Sequence, residues 1–187
     1  MIRPLAFIIS ATLLSGAAFA GTEVKVPPFS GIDVHGGGDV KLVYGPVQRV
    51  TVIKADMKVA RIEVKGNTLV LSPCEGMCWG SHPLEVEIVS PKIEYLDIHG
   101  GGSIRATGNF EKVSNLKIEV HGGGNADISA IPVQSVRADV HGGGELKVKA
   151  IDSLDAEVHG GGDITYVGRP AHISSKTHGG GSIRGVE

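Results

Sequence analysis

The sequence predicts an all-β protein, a right-handed parallel β-solenoid built from coils of about 20 residues. Three observations predict it: a repeated tetrapeptide, apolar alternation on both sides of each copy, and the lack of any helix-period segment between copies. The spacing of the last five copies is 22, 20, 18 and 19 residues. A repeat of this length can bury its apolar face only by stacking on its neighbours. The tetrapeptide His-Gly-Gly-Gly occurs six times, beginning at His35, His99, His121, His141, His159 and His178.

Each repeat is predicted to contain two strands joined by the glycine corner. Residues 116–121, 136–141 and 154–159 alternate apolar and polar side chains up to the histidine, and the alternation resumes after the glycines. This period of two residues is typical of a strand with one buried face. The glycines are expected to allow positive φ and close approach between coils, so that replacing even Gly123 by valine should be costly.

The segment from residue 39 to 97 keeps the strand alternation but lacks the corner. Because His35 and His99 are 64 residues apart, close to three repeats, the spacing favours two coils without the glycine corner. A small antiparallel sheet that caps the solenoid is the alternative. In both cases residues 21–187 form a single solenoid domain, whose uncovered last strand favours end-to-end or side-by-side contact with another copy or a partner.

The first 20 residues have the three parts of a secretory signal peptide. Arg3 precedes an apolar stretch at residues 5–14, and small residues lead to Ala20, after which we expect cleavage. A membrane anchor is the weaker alternative, because the apolar stretch is too short to span a bilayer comfortably. The mature chain, residues 21–187, is therefore predicted to have no membrane span and to be periplasmic or secreted.

The composition bears on the class of partner. The chain carries 18 basic and 20 acidic residues, a formal charge of −2, so nucleic acid is not an expected partner. Aromatic residues make up only 4% of the chain, which argues against a groove that stacks sugars. A protein or a polyanionic envelope component, met through polar contacts on the flat outer sheet, is the expected partner.

Residue parity places the repeated histidines on the outer surface. With the apolar residues of 116–120 inward, His121 points outward beside Glu119, and only the last repeat has a base, Lys176, beside its histidine, His178. Imidazoles of neighbouring coils should lie about 5 Å apart, near enough for two to share a Zn or Cu ion with a carboxylate. No other cofactor is indicated. The predicted ligands are His99, His121, His141, His159, His178, Asp97, Glu119, Asp139 and Glu157.

The histidine column also has a purely structural interpretation. Histidine is then a tolerated polar residue that stacks on its copies before a tight corner, with its charge balanced by the nearby acid. Acidification would still charge a column of close neighbours, because imidazoles titrate near pH 6.5. The long gap after His35 is expected to displace it from the other five.

Catalysis is not predicted. His-Gly-Gly-Gly occurs in esterase oxyanion holes, but an esterase uses one copy with a Gly-x-Ser-x-Gly elbow, and this chain has six copies, no elbow and no alternating helices. Nothing in the sequence singles out a catalytic acid, base or calcium cluster such as a β-helical polysaccharide lyase would need.

The two cysteines, Cys74 and Cys78, lie between two alternating strand patterns. A local disulfide is expected, because the chain is predicted to be exported and has no third cysteine to compete. The alternative is a soft-metal site in which Cys74, Met77, Cys78 and His82 bind Cu(I) with reduced thiols.

Three further features have a counterpart in a known family. They are the stretch Phe29-Ser-Gly-Ile-Asp-Val-His-Gly-Gly-Gly-Asp-Val-Lys-Leu, the stretch Asn67-Thr-Leu-Val-Leu-Ser, and the recurring Gly-Gly-Gly-Asp and Gly-Gly-Gly-Ser corners. Together they resemble the family of putative auto-transporter adhesin head domains over nearly all of the mature chain. The resemblance implies a secreted or periplasmic bacterial protein with a β-helical fold and no catalytic residues. The usual corner of the family is Gly-Ser-Gly-Asp, where this chain has three glycines.

The sequence therefore predicts an exported, non-enzymatic, adhesin-like or scaffolding protein of the bacterial cell envelope. The alternative function is an extracytoplasmic metal-binding protein that uses the outward histidines and carboxylates.

Overall fold

The computed structural model describes residues 21–74 and 82–186, and within these ranges every regular element is a β-strand. This confirms the predicted all-β class. The described residues include no helix long and apolar enough to cross a membrane. The predicted signal peptide, residues 1–20, lies outside them. The strands are β1 (Thr22–Val24), β2 (Gly31–Gly36), β3 (Asp39–Tyr44), β4 (Arg49–Ala55), β5 (Arg61–Lys65), β6 (Thr68–Ser72), β7 (Leu84–Ser90), β8 (Tyr95–Gly100), β9 (Ser103–Thr107), β10 (Val113–Gly122), β11 (Asn125–Gly142), β12 (Glu145–Gly160), β13 (Asp163–Val167), β14 (His172–Gly179) and β15 (Ser182–Val186).

The strands stack into a solenoid with two parallel faces joined at the glycine corners. Equivalent strands of successive coils pair in parallel without a slip near the corner, so that Gly122 aligns with Gly100 on one side and with Gly142 on the other. This confirms the predicted parallel β-solenoid, which has about five turns. Face one consists of β6, β2, β8, β10, residues 133–142 of β11, residues 153–160 of β12, and β14. Face two consists of β7, β3, β9, residues 125–127 of β11, residues 145–149 of β12, β13 and β15.

The core lies between the two faces and is formed by the inward residues of each strand. In β10, for example, Leu116, Ile118 and Val120 are at most 2% exposed. One inward column loses side-chain volume along the solenoid and becomes polar and exposed in the last coil, where an apolar residue would face solvent. Its members in spatial order are Ile32, Leu96, Ile118, Ala138, Ala156 and Ser175.

Residues 39–97 combine the two arrangements expected for them. β6 and β7 form one coil without a glycine corner, and β4 and β5 add antiparallel strands beyond it. The expectation of two coils between His35 and His99 is wrong, because β2 pairs directly with β8 and aligns these two histidines. The chain reverses between β5 and β6 at Gly66, whose φ is +62°, and β6 pairs with the side of β2 opposite to β8.

The three glycines of each corner have different environments. At the corner of β10, Gly122 has a φ of +114°, and a Cβ there would lie 2.8 Å from the carbonyl oxygen of Gly100 in the preceding coil. A Cβ on Gly124 would lie 2.7 Å from a side-chain carbon of Ile98. A Cβ on Gly123 would have no atom within 4 Å. The expected high cost of a side chain at Gly123 is therefore wrong, because this middle position faces open space.

Alanine at the first and middle corner positions should have opposite effects on stability. Gly122→Ala should lower the free energy of unfolding by about 1–3 kcal/mol, because it adds a Cβ at positive φ and against a backbone oxygen. Gly123→Ala should leave it unchanged or raise it by up to about 1 kcal/mol, because it restricts the unfolded chain without a clash. Denaturant unfolding followed by circular dichroism compares the two neighbours, and equal losses would contradict this account of the corner.

Candidate functional site

The six motif histidines form one continuous stack on the outer surface of face one. Successive ring centroids lie 4.8–5.0 Å apart, and successive ring planes are within 12° of parallel. The spacing follows from the distance between hydrogen-bonded strands. The predicted outward position and spacing are confirmed. The expected displacement of His35 is wrong, because its ring stacks on that of His99 at 4.9 Å. We call this series of rings the histidine stack.

A column of acidic side chains runs beside the histidine stack, two residues earlier in each strand. In spatial order it contains Asp33, Asp97, Glu119, Asp139 and Glu157, followed by Lys176 in the last coil. Three of these carboxylates contact an imidazole nitrogen. The contacts are Asp33 Oδ2 to His35 Nε2 at 2.9 Å, Asp97 Oδ2 to His99 Nε2 at 3.1 Å, and Glu157 Oε1 to His159 Nε2 at 2.9 Å.

The two carboxylates in the middle of the column bind cations instead. Lys117 Nζ donates a hydrogen bond of 2.7 Å to Glu119 Oε2, and this bond lowers the pKa of the Glu119 carboxyl. In the next coil Arg137 Nε donates to Asp139 Oδ2 at 3.3 Å. Each cation lies two residues before its acid and therefore on the same side of the strand. The pairing neutralises the middle of the acidic column.

Asp97 is the most buried acid of the column, at 8% exposure. Its Oδ2 accepts a hydrogen bond of 2.8 Å from Tyr95 Oη and also contacts His99. Its Oδ1 is buried without a hydrogen-bond partner among the described residues and lies 4.0 Å from His121 Nε2. A buried polar atom without a partner costs about 1–3 kcal/mol. A cation or a water between this oxygen and His121 would remove that penalty.

The structure brings six of the nine predicted metal ligands into groups of three. Within each group the ligand atoms lie within 4.8 Å of one another. Glu119, Asp139 and His141 belong to no such group among the described residues, whereas Asp33 and His35, which the sequence did not predict as ligands, form one with His99. The signal for these two was present, since they belong to the first copy of the motif. The groups are Asp33–His35–His99, Asp97–His99–His121 and Glu157–His159–His178.

The second predicted site, around the cysteines, is only partly described. Cys74 is buried at 6% exposure, and its carbonyl oxygen accepts a hydrogen bond of 2.6 Å from Ser72 Oγ. Met77 and Cys78 lie outside the described residues. The disulfide between Cys74 and Cys78 and the alternative Cu(I) site therefore stay predictions.

A groove of about 670 Å³ runs across face one near the start of its strands. Its lining includes a column of short polar residues, in which Asn115, Ser135, Ser153 and His172 align across four coils. The next outward column supplies charged side chains, those of Lys117, Arg137 and Asp155. This groove was not predicted from the sequence, although serine at the same position of two successive repeats was a signal for it.

Comparison with known proteins identifies one family. The family described as "Putative auto-transporter adhesin, head GIN domain" matches residues 28–113 and 111–170. No curated protein matches the chain.

Solved structures support the fold. The chain is similar to a putative adhesin from Bacteroides fragilis NCTC 9343, with 21% identity over 89% of this chain and 96% of that chain, and a TM-score of 0.54. It is also similar to a putative lipid binding protein from Parabacteroides distasonis ATCC 8503, with 20% identity, the same two coverages and a TM-score of 0.51. At these identities the likeness concerns the solenoid architecture alone.

The surroundings of Asp97 should be detectable through the ionisation of Tyr95. Burial, together with the hydrogen bond to Asp97, raises the pKa of Tyr95 well above its usual 10.0. Because the folded-state pKa is raised, this contribution to stability is present below pH 10 and is lost as pH rises through the folded-state value.

An ultraviolet absorbance titration of the wild type and Tyr95→Phe measures this shift. At pH 10 the two proteins should form the same amount of phenolate, and Asp97→Asn should lower the pKa of Tyr95. Removal of a third of the phenolate formed at pH 10 by Tyr95→Phe, the share of one tyrosine in three, would contradict the raised pKa of Tyr95 and its contact with Asp97.

Proposed function

This chain belongs to the family of putative auto-transporter adhesin head GIN domains, and on that basis we propose that it is an exported, non-enzymatic, adhesin-like protein of the bacterial cell envelope. Its partner is a protein, which it binds through the groove of face one. The family match extends from residue 28 to residue 170, so the adhesin-like assignment concerns the solenoid as a whole.

The observation that carries the proposal is the groove itself. Ser135 and Ser153 lie on adjacent coils whose backbones are hydrogen-bonded in parallel, which holds the groove in one shape. A surface that is already rigid loses little conformational entropy when a partner binds. The serine hydroxyls and the side chains beside them offer both donors and acceptors of hydrogen bonds.

The charges beside the groove favour a protein over an anionic polymer. Lys117 and Arg137 remain about half exposed, at 47% and 59% of the side chain, but each is paired with a carboxylate of the acidic column. Asp155 adds a further negative charge, 3.8 Å from Arg137. Such a mixed surface suits the mixed charges of a protein, whereas a polyanion is attracted by uncompensated positive charge. The groove also has no phenylalanine, tyrosine or tryptophan on which a sugar could stack.

Export is tested by expressing the full chain in a bacterium with a tag after Glu187. Intact mass should show that the protein outside the cytoplasm begins at Gly21. Ala18→Gln should block this cleavage, because small residues are required at the two sides of the Ala-x-Ala site. A full-length mass confined to the cytoplasm would contradict export.

Binding is tested with two arginine substitutions on opposite faces. The purified chain should bind isolated bacterial envelopes, and binding should be lost when the envelopes are treated with protease. Ser153→Arg fills the groove and should weaken binding at least tenfold, about 1.4 kcal/mol, whereas Thr165→Arg adds the same charge to face two and should leave it unchanged.

Each alternative outcome separates one part of the proposal. Binding that survives protease but falls with salt would assign a polyanionic partner instead of a protein. Equal binding by the two variants would remove the groove as the contact surface. Absence of binding by the wild type would overturn the adhesin-like role.

A further inference from the structure

A metal site on the histidine stack requires a carboxylate that remains available to the imidazoles. Imidazole nitrogen together with carboxylate oxygen suits Zn(II) and Cu(II). In the middle of the stack Lys117 and Arg137 hold the acids, and no group of three ligand atoms among the described residues includes His141. Toward both ends of the stack the acids instead contact histidine. Within the described part of the chain, only the two end regions of the histidine stack therefore combine imidazoles with an available carboxylate.

The first of these sites surrounds Asp97. Its Oδ2 contacts His99 Nε2 at 3.1 Å, and its partnerless Oδ1 lies 4.0 Å from His121 Nε2 on the next coil. An ion between Oδ1 and His121 gives the buried oxygen the partner that it lacks. The group around Asp33 and His35 shares His99 with this site, so the two groups compete for one ion.

The second site surrounds Glu157. A single oxygen, Oε1, lies 2.9 Å from His159 Nε2 and 3.7 Å from His178 Nε2 on adjacent coils. Lys176 aligns with Glu157 in the paired strand, and its positive charge makes this the weaker of the two sites.

We propose that the protein binds two divalent transition-metal ions of the Zn(II) and Cu(II) class per chain. One is held by Asp97, His99 and His121, and the other by Glu157, His159 and His178. Two nitrogens and one oxygen leave a fourth position open to water or to a side chain of a partner. Ca²⁺ and Mg²⁺ do not suit these sites, because they require a shell of oxygen ligands.

Binding requires only a tilt of exposed rings. The ligand atoms of each group lie within 4.8 Å of one another, whereas ligands of a tetrahedral zinc are about 3.3–3.4 Å apart. Parallel stacked rings must therefore turn their Nε2 atoms toward each other. The side chains of His99 and His121 are 42% and 37% exposed, and those of His159 and His178 are 41% and 61% exposed, so this tilt disturbs no core packing.

Calorimetric titration of the purified chain with ZnCl₂ tests the proposal. The wild type should bind two ions. His99→Asn and His159→Asn should each retain one ion, because the first removes the histidine shared by both groups at one end and the second disrupts the Glu157 group. The double variant should bind none. His141→Asn is the matched control, since it makes the same change in the same motif outside both sites, and it should retain two.

Thermal unfolding provides an independent readout. Zinc should raise the Tm of the wild type and of His141→Asn but not that of the double variant, because a ligand of the folded state stabilises it by mass action. If the double variant is unfolded by circular dichroism, the carboxylate variant Asp33→Asn/Asp97→Asn/Glu157→Gln replaces it, because it keeps all six imidazoles.

Three results would overturn the inference. They are the absence of heat and of stabilisation in the wild type, the loss of an ion in His141→Asn, and the retention of both ions when the ligands of both sites are removed. None of them bears on the binding groove, whose serines are not among the ligands.

Discussion

Hydrogen bonds between the backbones of neighbouring coils position every column of side chains in this molecule. They continue through the corners, where Gly123 N donates to Gly100 O at 3.0 Å and Gly143 N donates to Gly122 O at 2.9 Å. A residue must therefore lie on its copy in the next coil, about 4.8 Å away. The apolar interior, the histidine stack and the acidic column are three results of this one constraint. Glycine at the first and third corner positions allows the coils to approach closely enough to form these backbone hydrogen bonds.

The sequence could predict the features that depend on the alternation of residues along a strand and on the length of the repeat. The alternation around residues 116–121 gave the strand, its inward face and the outward histidine, because each of these follows from a period of two. The usual corner of the family, Gly-Ser-Gly-Asp, also becomes intelligible: serine stands at the middle position, where this structure leaves space. The three glycines of the corner are identical in the sequence, but the stacking of the coils gives each of them a different environment.

The sequence pattern could not predict which distant strands pair, or which side chain each acid of the column binds. Nothing local indicates that β6 pairs with the side of β2 opposite to β8, or that β7 pairs with the side of β3 opposite to β9. Likewise the motif alone made the five histidines from His99 to His178 equal candidate ligands, whereas the residue two positions before each acid decides what that acid binds. Lys117 binds Glu119 and Arg137 binds Asp139, so these two acids pair with cations instead of histidine. Tyr95, in contrast, leaves Asp97 available to histidine. Near-identical repeats thus acquire distinct chemistry through one variable position.

The two ends of the solenoid differ in how much apolar surface face one buries. The inward column that begins with Ile32 and Leu96 ends with Ala156 and Ser175, so this column buries less apolar surface in the last coils than in the first. In a linear array, stability is approximately the sum of the coils and their nearest-neighbour interfaces. β14 pairs with one strand of the preceding coil only, and all of its residues are exposed, so we expect the last coil to open first. That coil carries His178, so local opening would remove one imidazole from the end of the histidine stack.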